Sequence, residues 1–374
     1  MDDKPIQPAE DDDLVPDENQ TYPNSDPESE SDTESLNEAS IKSTRSYPSL
    51  TLQHIHENGR RYADETYFMP NDEPELTRLN IIHQIYLILL DGALTTAPLP
   101  QTPRILDIGT GPGDWAIEMS AAHPTSTIIA SDLTVFDSGV GHLDLPNVDF
   151  QLADARTEWT YHEPFDLIHL RGMSGAFQDW AAIYTQAFEH CKPGGYIEVA
   201  DSDPAADTIS FSPRKRPESE AEIPALRTYT AALRSAANAA GYPRDLAHLN
   251  TDALTAAGFV DVRVLERTIP IGLWPEDVAE KTLGKMALIA LVEGLEGYAL
   301  RPLTVYGGYT VDGVRELCEA VRGELLGVSG LTVKVRIVTG RRPVSFAQKK
   351  MDLLARVMAR AKIVQEGAEA EGEE

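Results

Sequence analysis

The sequence is poor in basic residues for its length. Its 374 residues include 32 Lys and Arg against 60 Asp and Glu, which gives a formal net charge of −28. Proteins that bind DNA or RNA need a basic face, because their affinity comes largely from displacing the counterions of the phosphates. We therefore expect no direct nucleic-acid partner.

Cysteine is nearly absent as well. Cys191 and Cys318 are the two cysteines of the chain, and they cannot form a disulfide framework or a zinc site between them, so we expect no metal.

The acidic start Met1-Asp2-Asp3-Lys4 lacks the positive and apolar regions of a secretory leader. These features predict an intracellular protein, with the cytoplasm as the first expected compartment and the nucleus as the second. The stretch Pro213-Arg214-Lys215-Arg216-Pro217 is either a nuclear import signal or a solvated loop.

Long apolar runs are missing too. The longest, from Asn80 to Leu94, is interrupted by His83, Gln84 and Asp91 and is shorter than the roughly 20 apolar residues that span a bilayer. This stretch predicts a core helix and no membrane association.

Both ends of the chain are rich in acidic and small polar residues. Residues 1–50 have almost no aromatic or branched apolar side chains, so they cannot bury enough surface to offset the loss of chain entropy. We expect a disordered acidic tail over 1–50, and a C-terminal helix followed by a second acidic tail over 346–374. The N-terminal tail is either a docking or phosphorylation segment or a solubilising leader.

The most informative stretch is a strand, a glycine turn and a helix in direct succession. The apolar run Ile105–Ile108 leads into Gly109, Gly111 and Gly113, and the helical pattern Trp115–Ala122 follows. Glycine adopts positive φ readily, and the N–H groups at a helix start have no partners within the helix. The turn therefore predicts a polar ligand lying against bare backbone.

The details of this turn favour one kind of ligand. A dinucleotide loop has the spacing Gly-x-Gly-x-x-Gly, whereas here the third glycine comes one residue earlier and position 114 is Asp. Asp107, which precedes the turn, would repel a pyrophosphate but can accept hydrogen bonds from an ammonium group. We infer a nucleoside that carries an amino acid, as in S-adenosylmethionine (SAM). A plain glycine turn and a dinucleotide oxidoreductase are the alternatives, and the second is the less favoured.

Strand and helix patterns alternate from Arg104 onwards, which predicts a doubly wound, mostly parallel α/β sheet with ligands at the carboxyl ends of its strands. The predicted parallel strands are Arg104–Ile108, Ser126–Ser131, Val148–Leu152, Phe165–His169 and Gly195–Ala200.

Further acidic residues stand at the ends of these strands. Asp132 follows the glycine turn by about twenty residues, the spacing of a carboxylate that accepts hydrogen bonds from ribose hydroxyls. Asp154, with Ala155 beside it, follows the third strand, where an acid can accept from the exocyclic amine of an adenine. Each acid alone could be a helix cap or a turn residue. Together with Asp107 and the glycine turn, they predict a SAM site.

From Glu57 to about Arg342 the chain resembles a class I SAM-dependent methyltransferase, and more narrowly the fungal LaeA-like group associated with secondary-metabolite gene clusters. The narrower resemblance is carried by Glu57–Tyr62, Met69–Glu73, Arg78-Leu79, Asp107–Gly113 with Trp115, Asp132–Thr134, Phe165–Arg171, Asp179-Trp180, Pro193–Glu198 and Gly340–Pro343. One departure is visible: that group usually has a proline-rich turn after Asp132-Leu133-Thr134, and this chain continues with Val135-Phe136-Asp137-Ser138-Gly139.

The resemblance implies a Rossmann-like sheet of seven strands, closed by an antiparallel pair over Val260–Ile271 and Leu331–Thr339. It implies a methyltransferase domain over 51–345, with a helical cap over 51–100 and an insertion and substrate roof over 202–330. By similarity, Asp107 and the three glycines would hold the methionine moiety of SAM, Asp132 the ribose and Asp154 the adenine.

Two functions are compatible with these features. The first is a methyltransferase that methylates oxygen or nitrogen of a small fungal secondary metabolite. The second is a LaeA-like regulator that acts through protein partners. Because methyl transfer depends mostly on alignment, a missing catalytic triad is no objection. The catalytic candidates are His169 and Arg171, just past the fourth strand, and Tyr67.

Overall fold

The computed structural model describes residues 54–65, 67–134, 136, 145–215 and 223–344. The predicted tails over 1–50 and 346–374 lie outside the described residues. So does most of the loop 135–139, where the chain departs from the LaeA-like pattern, and so do the last two residues of the basic cluster. Those predictions therefore stay predictions.

The described residues contain ten strands and seven α-helices. The strands are β1 (Ile55–Glu57), β2 (Arg60–Tyr62), β3 (Arg104–Ile108), β4 (Thr127–Asp132), β5 (Val148–Leu152), β6 (Phe165–Arg171), β7 (Cys191–Asp201), β8 (Ile209–Phe211), β9 (Val260–Pro270) and β10 (Leu331–Arg341). The helices are α1 (Glu73–Leu89), α2 (Asp114–Ala122), α3 (Trp180–His190), α4 (Pro224–Ala240), α5 (Thr251–Ala256), α6 (Val278–Val305) and α7 (Val311–Gly327).

One sheet holds eight of these strands, in the order β5-β4-β3-β6-β7-β10, with β8 and β9 both paired to β10. Strands β3 to β7 are parallel, and β10 runs antiparallel to each of its neighbours. The chain leaves β3 toward β4 and β5, then returns to the other side of β3 for β6 and β7. Strand order thus reverses beside β3, and ligands bind at the carboxyl ends of the strands at such a point.

The predicted doubly wound, mostly parallel sheet is confirmed, but it has eight strands instead of seven. The additional strand is β8, which lies in the stretch predicted as a polar insertion and pairs with Leu331–Val333 at the start of β10. A strand of three residues is too short to show an alternating pattern, so the sequence carried no signal for it.

The helical pattern that begins at Val278 predicts a helix end at Leu295, but helix α6 extends ten residues further, because Gly294 and Gly297 do not terminate it. A Cβ on Gly294 would lie 3.1 Å from Cδ of Arg78, on α1. The glycine therefore allows α1 to approach α6 closely, and this packing outweighs its poor helix propensity.

The N-terminal cap is a short hairpin followed by α1. Asn58 and Gly59 join β1 to β2 with φ values of 53° and 83°, the two positive angles that a two-residue hairpin turn requires. Arg301 of α6 binds this cap through the Glu57 carboxylate at 3.1 Å and the Tyr67 carbonyl at 2.7 Å. The cap is thus attached to the long helix above the sheet.

Buried apolar side chains form clusters on both faces of the sheet. One cluster joins α3 and α5 to β6 and β7, another joins α2 to β3 and β4, and the largest joins α1, α4, α6 and α7 to β9 and β10. In the described ranges of the chain, no helix combines the length and apolarity needed to cross a bilayer.

Candidate active site

A cavity of about 230 Å³ lies at the carboxyl ends of the parallel strands. Its polar end is formed by the glycine turn and by the residues that follow β4, β5 and β6. Its apolar end lies under α6 and beside β9 and β10, and its apolar lining residues there are Ile269, Ala287, Ala290, Leu291, Val333 and Val335. Cap residues 67–71 line the cavity from above.

The three glycines of the turn all adopt left-handed backbone angles. Their φ values are 70° for Gly109, 57° for Gly111 and 93° for Gly113, which is the N-cap of α2. A Cβ on Gly109 would lie 2.2 Å from the sulfur of Met173, so no larger residue fits there without displacing that side chain. The three glycines thus form the predicted turn, and its left-handed backbone angles disfavour residues that carry a Cβ.

Asp107 lies at the floor of the cavity and is 3% exposed. Its Oδ1 accepts a hydrogen bond from Nδ1 of His169 at 2.7 Å, and the imidazole stacks on Trp115 at 3.9 Å between ring centroids. Its Oδ2 is buried and has no hydrogen-bond partner among the described residues, and the same is true of the Thr110 hydroxyl nearby. Buried polar atoms without partners are costly, so these two suit a polar ligand.

Asp132 ends β4 and lines the same cavity. Its Oδ2 accepts from the Gly111 N–H at 2.8 Å, and its Oδ1 accepts from the Thr134 N–H at 3.0 Å. Burial raises the pKa of this carboxyl to about 6, although the backbone hydrogen bonds act in the opposite direction. Each carboxylate oxygen has a second lone pair, so Asp132 can still accept from a ligand.

Asp154 and Ala155 line the cavity at its outer edge. The Asp154 carboxylate forms an ion pair with Arg156, whose Nε lies 2.8 Å from Oδ1. Partial burial acts to raise the pKa of Asp154, but the hydrogen bonds from Arg156 outweigh it and lower the pKa. This carboxylate is therefore ionised at neutral pH and is already paired with Arg156.

The three catalytic candidates also line the cavity. Arg171 donates from Nη2 to Nδ1 of His83 at 3.0 Å and lies over the Tyr86 ring at 4.9 Å. Because arginine has no acceptor, His83 must be unprotonated at Nδ1. Burial lowers the pKa of Arg171 and raises the pKa of the Tyr67 phenol. His169 is hydrogen-bonded to Asp107.

Several charged residues in or beside the cavity were not predicted from the sequence. Glu75 and Arg78 of α1 form a buried two-hydrogen-bond pair at 2.6 and 2.8 Å, and both line the cavity. Asp201 and Asp203 line it just past β7. The two aspartates carry the same signal as Asp107 and Asp132, an acid at the end of a parallel strand, and could have been found by it.

No group of three or more His, Cys, Asp or Glu side chains in the described part of the chain is arranged to hold a metal ion.

Several known proteins are similar to this chain in sequence. Residues 81–259 match the family model described as a methyltransferase domain. The chain is 34% identical over 301 residues to the secondary metabolism regulator LAE1 of Cochliobolus heterostrophus, covering 77% of this chain and 94% of that protein. It is 31% identical over 296 residues to the methyltransferase pytC of Aspergillus terreus, covering 76% of this chain and 86% of that protein.

A third relative is the protein-methionine methyltransferase laeA of Emericella nidulans, which is 30% identical over 277 residues, covering 72% of this chain and 71% of that protein. The identities and the shares of each chain covered show the family directly. The chain belongs to the class I methyltransferases that use SAM, within the fungal LaeA-like group.

Proposed function

We propose that this protein transfers the methyl group of SAM to oxygen or nitrogen of a small fungal secondary metabolite. The observation that carries the proposal is the two-ended cavity, polar at the glycine turn and apolar beneath α6, β9 and β10. A small molecule with an apolar body and one polar reactive group is complementary to those two ends. The apolar wall contributes binding energy but takes no part in the reaction, and the polar end aligns the reacting atoms.

We assign the polar end to the cofactor. The partnerless Oδ2 of Asp107 suits the ammonium group of the methionine moiety, and the three glycines leave room for that moiety on bare backbone. Asp132 suits the ribose hydroxyls, while Asp154 and Ala155 suit the adenine. SAM, when bound, supplies an activated methyl group.

We assign the three catalytic candidates to binding and positioning. His169 uses Nδ1–H on Asp107 and is stacked on Trp115, so it orients that carboxylate instead of deprotonating a substrate. Arg171 is a buried cation whose hydrogen-bond partner is the neutral His83, and it suits an anionic group such as a carboxylate. Tyr67, in the cap, covers the ligands and excludes water.

The test is incubation of the purified protein with methyl-labelled SAM and a metabolite extract of the source organism. We expect label in the small-molecule fraction, and we expect none when the Gly111→Val variant replaces the wild type. Label that stays in SAM under all conditions would contradict the proposal.

A second function is favoured by the relatives, of which one is named as a regulator and another as a protein-methionine methyltransferase. In that case the protein would act through protein partners, with the acidic N-terminal segment as a docking region. Label would then appear in the protein fraction of the same incubation, and the small-molecule fraction would stay unlabelled.

The Asp132 assignment predicts a pH dependence of cofactor binding. Ribose hydroxyls donate to an ionised carboxylate, and the pKa of Asp132 in the free protein is raised to about 6. Below that pH, binding must release a proton, so affinity for S-adenosylhomocysteine should fall by up to about tenfold per pH unit. Affinity above pH 7 should be constant.

Calorimetric titration between pH 5 and 7.5 measures this dependence, and titration at pH 5.5 in buffers of different ionisation enthalpy counts the released protons. The Asp132→Asn variant is the control, because its affinity should vary less with pH. A wild-type affinity that does not change from pH 5 to 7.5 would remove Asp132 from the ribose site.

A further inference from the structure

The cavity contains a second arrangement of the kind that holds Asp107. Asp201, at the end of β7, accepts a hydrogen bond from Nε2 of His248 at 2.9 Å. The imidazole of His248 stacks on Trp180, with 4.0 Å between ring centroids and an interplanar angle of 7°. At this strand end an aspartate is hydrogen-bonded to a histidine that stacks on a tryptophan, and the same three residue types make the same contacts at Asp107.

Asp201 is 1% exposed and lines the cavity. Its Oδ2 is occupied by His248, and within the described ranges its Oδ1 has no hydrogen-bond partner. Asp203 differs, since Arg244 binds both of its oxygens at 2.7 and 2.9 Å and the Ala205 N–H binds one of them as well. Asp203 is therefore a structural ion-pair partner, and Asp201 is a buried carboxylate with one oxygen left to interact with a ligand.

The sheet order gives Asp201 a place relative to the cofactor. The adenine candidate follows β5, the ribose candidate ends β4, the methionine candidate is the last residue but one of β3, and β7 lies two strands beyond β3. With a strand spacing of about 4.8 Å, the ends of β3 and β7 are roughly 10 Å apart. On its other side β7 pairs with β10, which contributes Val333 and Val335 to the apolar wall.

We propose that Asp201 is the group that binds the nucleophile of the methyl acceptor and accepts its proton. This rests on the proposed function. The acceptor is an apolar molecule bearing an amine or hydroxyl, whose N–H or O–H donates to Oδ1 of Asp201. As the lone pair of that nitrogen or oxygen forms a bond to the methyl carbon, the carbon–sulfur bond breaks with its electrons returning to sulfur, and the proton moves to Asp201.

Sinefungin tests this without knowledge of the acceptor, because in this SAM analogue a carbon bearing an ammonium group replaces the methylated sulfur. A carboxylate close to the transferred methyl attracts that ammonium, whereas S-adenosylhomocysteine is neutral there. We expect the wild-type protein to bind sinefungin about tenfold more tightly than S-adenosylhomocysteine. In Asp201→Asn we expect the two dissociation constants to become equal, with that for S-adenosylhomocysteine unchanged.

Asp252→Asn is the matched control, since it removes an exposed carboxylate from the first turn of α5 and should keep the tenfold preference. A purely structural Asp201 would change the melting temperature of Asp201→Asn and leave the ratio of the two constants as in the wild type, which would overturn the proposal. If Asp201→Asn does not fold, the wild type still provides a test, because equal affinity of the wild type for the two analogues would also overturn the proposal. Failure of both analogues to bind would instead overturn the proposed function.

Discussion

Replacing Gly111 by valine should abolish the binding of S-adenosylhomocysteine. Gly111 has a φ of 57° and its N–H donates to Asp132, so a β-branched residue both strains the turn and disturbs that hydrogen bond. A Cβ there would meet one protein atom within 4 Å, Cδ1 of Leu79 at 3.7 Å. The side chain therefore fits among the protein neighbours and projects into space that the ligand needs. We expect a loss of more than about a hundredfold by calorimetric titration.

Gly308→Val is the matched control. Gly308 has a similar φ of 73°, and no atom of the described residues lies within 4 Å of the position of its Cβ. The substitution imposes the same backbone strain away from the cavity, so it should lower stability while affinity stays at the wild-type value. NAD should not bind to either variant or to the wild type. Binding of S-adenosylhomocysteine by Gly111→Val within a few fold of the wild type would show that the turn is not the cofactor site.

The parallel strands could be predicted from the sequence because each combines an apolar run with a clear end. β3 has its predicted bounds, Arg104–Ile108, and β5 has its predicted bounds, Val148–Leu152. The central strand β3 is buried and mostly apolar, whereas the edge strand β5 alternates apolar and polar residues, and turn residues bound both strands, so their lengths are visible in one sequence. The site acids could be predicted for a related reason, since each lies at the end of a parallel strand or within two residues of it.

The partners of these acids could not be predicted. His169 follows Asp107 by 62 residues and His248 follows Asp201 by 47, and each pair forms only because the sheet brings two strand ends or a strand end and a loop together. The aromatic residues that hold the histidines come from the starts of α2 and α3. Such contacts depend on tertiary packing, and no local pattern predicts them.

Helix α6 and the cap show a second limit. Glycines within a helical pattern usually indicate its end, but Gly294 lies where a Cβ would be 3.1 Å from Cδ of Arg78 on α1. The residue is small because another segment packs against it, and a single sequence does not distinguish this from a helix stop. The sequence therefore predicted this helix but not its length.

Asp107→Asn should weaken the binding of S-adenosylhomocysteine by about 1.5–3 kcal/mol, the range for hydrogen bonds that involve a charged group. Asparagine has the same shape, and its amide oxygen can keep the hydrogen bond from His169. Its amide nitrogen would replace Oδ2, so a donor would face the ammonium of the ligand where an acceptor stood. The corresponding loss of affinity is about ten- to a hundredfold, measured by calorimetric titration.

The stability of the same variant separates this explanation from a structural one. In the wild type, Oδ2 of Asp107 is buried and meets no hydrogen-bond partner in the described part of the chain, and an unpaired buried acceptor destabilises the folded state. Removing its charge should therefore leave the urea midpoint of the ligand-free protein unchanged or higher, although affinity falls. Asp149→Asn, on the edge strand β5, controls for the loss of one negative charge and should change neither quantity. If Asp107→Asn instead lowered the midpoint and kept the affinity, Asp107 would serve to hold His169 and Trp115 in place, and the ammonium of the cofactor would have to bind elsewhere in the cavity.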